Sequence, residues 1–149
     1  DMAGNYRGDD YASRGVHDSL YAKAIVAANE QGEKAALLTV DICYIPKESI
    51  EMMRAYIASN TTIKPGNIMI MATHTHSGPV GELHAPKAEE YLTKAASAVI
   101  QADRTLKPTV LSVGRSNEDR VSHNRRLKCK DGTTHMCWEK VEAGFVIET

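Results

Sequence analysis

The stretch NIMIMATHTHSGP, residues 67–79, constrains this chain more than any other. Its first five residues form a short uncharged apolar run, set off upstream by Pro65-Gly66, and a run of that length and setting is the pattern of a buried strand. Two histidines, His74 and His76, follow one residue apart, where such a strand would surface. A glycine-containing loop, 77–81, comes next. A fold that contains this stretch is built on a sheet and carries two imidazoles at the exit of one of its strands.

The rest of the chain supplies partners for that strand. Residues 20–29 are apolar and predict a strand, although their alanines leave a helix open. The polar turn Gln31-Gly32-Glu33-Lys34 leads into a second apolar segment, 35–40, so the two predict a hairpin that Asp41 closes. Pro46 suits the first turn of a helix over about 47–59, with Ile50, Met53, Ala55 and Ile57 as an imperfect apolar face. Pro86 opens a second helix, about 87–103, with Tyr91, Ala95, Ala98, Val99 and Ala102 on one side, and Lys107-Pro108 breaks it. Residues 109–114 alternate like a strand, residues 121–138 suggest a loop and hairpin, and residues 144–147 start another strand. Residues 1–19 show no periodicity and predict a loop. The order β-β-α-β-α-β implies an α/β fold, a mixed β-sheet packed with helices as an α/β sandwich. There is no internal repeat and no low-complexity linker.

At 149 residues the chain is long enough for one domain with a sizeable core. The closing GFVIET has the pattern of a strand just beginning, so the expectation is one incomplete piece of a longer protein. The first residue is Asp1 rather than Met, which leaves room for an upstream leader. The net charge of −1 produces no long-range field that would draw nucleic acid or an anionic membrane. No apolar run approaches the roughly 20 residues of a membrane span, so no transmembrane segment is expected. The three cysteines, Cys43, Cys129 and Cys137, are odd in number and form no C-x-x-C pair, against a zinc ribbon or a dense disulfide framework. Cys129 and Cys137 flank the turn signal Asp131-Gly132, which leaves two readings open: partners across a hairpin, or unpaired thiols. Cys43 is most simply a small core residue.

On an extended strand, side chains at i and i+2 share a face, so His74 and His76 can converge on one point. A neutral imidazole is a good zinc ligand, and a second one nearby can shuttle protons near neutral pH. The small residues Ser77, Gly78 and Gly81 leave room for a ligand. A bare H-x-H is a weak signal, and two familiar H-x-H metal families do not fit. Metallo-β-lactamase-like hydrolases need Asp and His two and three residues after the second histidine, where Gly78 and Pro79 stand. Amidohydrolase barrels carry the pair on their first strand, whereas two strand segments precede it here.

The full string THTHSGP is more specific, and with its surroundings the chain resembles the neutral/alkaline, non-lysosomal ceramidase family. MAGNY at 2–6 is similar to that family's opening Met-x-Gly-Tyr element, with Asn5 inserted or substituted before Tyr6. RGVHDSLYAKAIV at 14–26 resembles its Gly-(Val/Ile)-His segment, and ALLTVDI at 36–42 its strand ending in Asp. NIMIMATHTHSGP resembles its strand and active-site loop, and HNRRLKCKDGT at 123–133 its Asn-Arg segment. Five segments occur in the family's order, over nearly the whole chain. The resemblance implies that residues 1–149 are the N-terminal portion of a zinc-dependent hydrolase domain. Its reaction would cleave the amide bond of ceramide or a related N-acyl lipid into sphingoid base and fatty acid. By the same resemblance His74 binds the single catalytic Zn2+, and His76 assists proton transfer at the reacting group. Arg125 and the backbone of Gly4 hold substrate or anion oxygens. The remaining zinc ligands are expected beyond residue 149, so the chain alone should bind zinc weakly and hydrolyse nothing. Peripheral membrane contact of the full-length protein, and a secreted, periplasmic or membrane-surface location, are further implications of the family.

Other polar residues carry simpler readings. His17 is expected to be structural or to support a ligating residue, not to bind a metal itself, because adjacent side chains on a strand, here His17 and Asp18, point to opposite faces. His84 and His135 are expected to be solvated, and His123 is a weaker candidate for lining the cleft. Asp41 is balanced between steering a metal-bound histidine and capping a turn. Two alternatives to ceramide hydrolysis remain: a family member acting on a different amide or ester, and a non-catalytic binding domain of the same fold.

Overall fold

The apolar run of residues 67–71 does form a strand, and its neighbour is the segment two elements earlier. A computed structural model describes residues 13, 15–120 and 124–140. The chain divides into two units, Asp1–Pro108 and Thr109–Thr149.

In the first unit, β1 (Ala22–Ala28) pairs antiparallel with β2 (Lys34–Val40). The hairpin between them turns at Gly32, whose φ of 77° is a left-handed conformation that costs glycine nothing. Asn29 closes it, its backbone N–H donating to the Glu33 carbonyl at 2.9 Å and its side-chain oxygen accepting from the Glu33 N–H at 2.8 Å. After β2 the chain crosses over through α1 (Lys47–Asn60) and a 3-10 turn at Pro65–Asn67. It returns as β3 (Ile68–Ala72), parallel to β2. A parallel pair cannot be joined by a tight turn, so the helix between the two strands is a topological necessity. The result is a three-stranded mixed sheet in the order β1-β2-β3 with α2 (Ala88–Arg104) following it, the α/β arrangement expected.

One face of the sheet holds the core. Ala24, Leu38 and Ile70 stand in register across the three strands, with Ala36, Val40 and Ile68 on the same face. They pack with Met53 and Ile57 of α1 and with Leu92, Ala96 and Val99 of α2. Each large side chain fully removed from water here contributes about 1.5–3 kcal/mol before entropy is charged against it. Lys34 at the start of β2 and Asp103 near the end of α2 make a 2.6 Å ion pair, both side chains largely sheltered.

The helices are rotated slightly from the sequence expectation. In α1 the buried stripe is Ser49, Met53 and Ile57, while Ala55 is exposed. In α2 it is Ala88, Leu92, Ala95, Ala96, Val99 and Ile100, with Tyr91 and Ala98 at its margin. β3 is covered on one face only. Ile25, Leu37 and Met69 form an exposed row on the other.

The expected strand over residues 109–114 is not formed. Val110, Leu111 and Val113 are almost wholly exposed, and among the described residues no strand pairs with this segment. Alternation alone cannot hold a strand whose backbone groups have no ladder to join. In the second unit β4 (Arg126–Lys128) and β5 (Thr134–Met136) form the anticipated hairpin around Asp131-Gly132. Its register sets Cys129 against Thr133, whose carbonyl accepts the Cys129 N–H at 2.9 Å, and sets Cys137 against Arg125. The two cysteines therefore do not face each other, and all three thiols are unpaired. The expected strand over residues 144–147 lies outside the described residues.

Candidate metal centre

Because β2 and β3 are parallel, both chains leave the sheet at the same edge. The pairing continues past the last strand residues: Thr73 N–H donates to the Val40 carbonyl and His74 N–H to the Ile42 carbonyl, each at 3.0 Å. That extension draws Cys43, just beyond β2, against His74, just beyond β3. The carboxyl ends of parallel strands are the usual ligand-binding edge of an α/β sheet, since there the chain is free to loop while the strands hold the loop bases fixed.

His74 itself is bent out of the strand. Its φ is 65°, a left-handed conformation uncommon for a residue with a side chain, so the i, i+2 same-face geometry expected of an extended strand does not apply. The two rings nevertheless meet, with centroids 5.0 Å apart at 89°. Nδ1 of His74 lies 2.8 Å from the Cys43 carbonyl oxygen. A carbonyl only accepts, so Nδ1 carries the proton and Nε2 keeps its lone pair. A metal-ligating histidine characteristically donates its other ring N–H to such an acceptor, which fixes both tautomer and ring orientation. The Cys43 thiol also approaches, with Sγ 3.5 Å from the same Nδ1. One donor atom each from Cys43, His74 and His76 lie within 4.8 Å of one another. Cys43 is buried and the two histidines are exposed. A thiol with two imidazoles is a donor set suited to zinc, so the residues fit the ion that the family resemblance implies.

The loop after the pair is pinned from below. The carbonyl of Gly81 accepts a 2.6 Å hydrogen bond from the hydroxyl of Ser49, a buried residue of α1. A side chain at Gly81 would place its Cβ only 2.2 Å from the Tyr44 carbonyl oxygen, and one at Gly78 would stand 2.9 Å from that of Asp41. Small residues here serve close approach of backbone to backbone. The sequence alone had suggested space for a ligand. Asp41 is engaged at the start of β1 instead of at His74. Its carboxylate accepts the Tyr21 N–H at 2.9 Å, while its own N–H donates to the Tyr21 carbonyl at 3.0 Å, clasping the start of β1 to the end of β2. A groove of about 390 Å3 runs over this clasp, lined by Leu20, Ile42, Pro79, Tyr91 and Ala98 among others. Burial, and then the charge of Glu82, push the Tyr91 phenol above its ordinary pKa, so it stays protonated.

The other histidines separate by setting. His17 contacts Asp18 after all, Nδ1 to Oδ2 at 2.9 Å, because the chain bends there and is not a strand. Both side chains are exposed. His84 lies exposed in a turn. His135 is half-buried and pairs with Glu139 at 2.7 Å, where a solvated ring was expected. Arg125 is an exposed residue of the second unit, at the foot of β4. Gly4 and His123 lie outside the described residues. Cys43 and Ser49 are the residues that sequence reasoning passed over. The first had looked like simple core and the second like an ordinary helix residue.

Part of this chain is similar in sequence to curated neutral ceramidases. It is 30% identical over 82 residues to neutral ceramidase 2 of Arabidopsis thaliana, a match covering 52% of this chain and 11% of that protein. Neutral ceramidases B and A of Dictyostelium discoideum match at 31% over 71 residues and 33% over 70 residues. Each of these covers 45% of this chain and 10% of the relative. The likeness is to the neutral ceramidase family. The chain spans about a tenth of the length of these relatives, and the aligned similarity takes in about half of it, less than the span of the five motif segments. No family model matches the chain. No solved structure matches it. Among the described residues, no helix is long and apolar enough to cross a membrane.

Proposed function

We propose that the chain is the N-terminal part of a zinc-dependent hydrolase domain that cleaves the amide bond of ceramide or a related N-acyl lipid. The observation that carries this reading is the state of His74. Its Nδ1–H is committed to the Cys43 carbonyl, so Nε2 presents a lone pair at the carboxyl edge of a parallel strand pair, inside the motif shared in pattern with the neutral ceramidases. Three curated neutral ceramidases as relatives supply the substrate class. The largely apolar groove that Pro79 and Ile42 help to line is in keeping with a lipid.

In this proposal His74 holds the zinc ion. When bound, the ion supplies Lewis-acid polarisation of a carbonyl and makes water acidic enough to ionise near neutral pH. The protein side chains do the remaining work. His76, its ring packed edge-on to that of His74, donates a proton to the departing amine, which is a poor leaving group until protonated. Arg125 is assigned on the family resemblance to hold substrate or anion oxygens, and a guanidinium that never loses its proton suits the negative charge that develops on a carbonyl oxygen. The backbone of Gly4 is assigned to substrate oxygens on the family resemblance.

The test is zinc content and N-acyl-sphingosine hydrolysis by the full-length protein, with and without His74→Ala. The variant should lose both together. Activity unchanged in His74→Ala would reject the proposal.

A further inference from the structure

The β4–β5 hairpin is basic in a chain that is not. Arg125, Arg126, Lys128, Lys130 and Lys140 lie in or beside it, all exposed, while the whole chain carries a net charge of −1. We propose that this hairpin docks on an anionic lipid bilayer, its cations meeting the headgroups and Trp138 entering the interfacial layer.

The charge is sorted by face. In β4 the exposed Arg126 and Lys128 alternate with half-buried Leu127. Their partners across the ladder are Met136 and Thr134, and directly opposed residues share a face, so this side shows cations and no carboxylate. Leu127 pairs with His135 on the other side, where the His135 ring engages the Glu139 carboxylate at 2.7 Å. Asp131, at the turn, accepts from the Thr133 N–H at 2.9 Å and from the Thr133 hydroxyl at 2.7 Å. The hairpin's own carboxylates are therefore occupied, and none of its cations forms an ion pair with a described residue.

Trp138 supplies the apolar part. It is 66% exposed, on a turn that the Glu139 N–H closes by donating to the Met136 carbonyl at 2.9 Å. An indole, with an apolar body and one N–H, is suited to the boundary between hydrocarbon and water, and lysine and arginine beside it suit anionic headgroups. A nucleic acid would also answer the charge. Stacking successive bases, however, takes several aromatic platforms, and Trp138 is the only Trp, Tyr or Phe in residues 124–140. The preference for a bilayer rests also on the proposed function: an N-acyl lipid is met in a membrane, and Arg125, assigned to substrate oxygens, stands at the foot of this hairpin. The attraction is short-ranged, acting within a Debye length of about 8–10 Å, which is why the near-zero net charge does not oppose it. Each cation held close to an anionic leaflet adds about fivefold to the partition coefficient.

Trp138 is the sole tryptophan of the chain, so its fluorescence reports its own environment. The probe is a phosphatidylcholine vesicle with about 30 mol % phosphatidylserine and no N-acyl lipid, mixed with the purified chain. The chain should sediment with these vesicles, its emission should shift to the blue, and about 0.5 M salt should release it. Pure phosphatidylcholine vesicles should bind it far more weakly. Arg126→Gln/Lys128→Gln, with unchanged circular dichroism, should lose about 25-fold in partitioning. Should that variant fail to fold, Lys130→Gln/Lys140→Gln carries the same expectation. Equal binding to neutral and anionic vesicles, an unmoved emission, or a folded double variant that binds like the parent overturns the proposal. So does tighter binding to a DNA duplex than to the vesicles, which would assign the surface to nucleic acid. Hydrolysis by the full-length protein without vesicle binding by this chain sinks the docking surface and leaves the proposed function standing. Vesicle binding without hydrolysis does the reverse.

Discussion

Gly81→Ala should destabilise the first unit severely for a change of one methyl group, and the reason lies in backbone, not in conformational freedom. The new Cβ would sit 2.2 Å from the Tyr44 carbonyl oxygen, 3.2 Å from the Tyr44 carbonyl carbon and 3.3 Å from the Ile45 Cα. None of these atoms belongs to a side chain that could rotate away. Relief requires moving the loop or residues 44–45 by about an ångström, and overpacking of that kind costs about 1–3 kcal/mol. The same movement pulls the Gly81 carbonyl from the Ser49 hydroxyl, now 2.6 Å away. Ser49 is fully buried, so its hydroxyl would be left without an acceptor in apolar surroundings, at about 1–3 kcal/mol. The two effects overlap, and a loss of about 2–4 kcal/mol is expected, lowering the melting temperature by on the order of 10 °C. Urea denaturation followed by circular dichroism measures it. A double-mutant cycle with Ser49→Ala assigns the cause: if the lost hydrogen bond is a main contributor, the double variant should cost clearly less than the sum of the singles. A Gly81→Ala variant within about 0.5 kcal/mol of the parent would refute the argument, because it would show that residues 44–45 and the loop are not held against each other.

Two further outcomes follow from the same structure. Leu38→Ala, at the centre of the middle strand and fully buried, should cost about 2–5 kcal/mol with an unchanged denaturant slope, read from the urea midpoint. Tyr91 titrates above the ordinary tyrosine value of 10.0 because burial, and secondarily Glu82, oppose its ionisation. The folded state therefore holds that proton longer than the unfolded chain does. Stability owed to the neutral phenol is intact below that value and falls as pH rises through and beyond it. Melting curves between about pH 9 and 11 should show a shallower alkaline decline in Tyr91→Phe than in the parent, and equal declines would disprove the assignment.

Strands and helices of the first unit were legible because their signals are local. An uncharged run before two histidines, a Gly32 turn between two apolar segments and prolines ahead of two helical stretches each specify an element without reference to the rest of the chain. Residues 109–114 show the limit of such signals, since alternation says which faces a strand would have and nothing of whether another strand lies beside it. Cys129 and Cys137 show a second limit. Their spacing about the turn looked suitable for pairing, but the hairpin register centred on Asp131 matches 129 with 133 and 125 with 137.

The candidate site was half legible for a physical reason. His74 and His76 are neighbours in sequence, so their chemistry could be weighed from the string itself. Cys43 and Ser49 act on them only through contacts formed by folding: Cys43 because β2 and β3 run parallel and so end together, Ser49 because α1 crosses beneath the loop that follows the pair. An antiparallel β3 would have sent the two histidines to the opposite edge of the sheet, away from Cys43, with identical local sequence. The crossover helix is therefore part of the site as much as any ligand. It makes the parallel pairing sterically available, and from its first turn Ser49 holds the Gly81 carbonyl in place. Perturbations of α1 packing, such as at Met53 or Ile57, should accordingly reach the Cys43–His74 contact although neither side chain belongs to it.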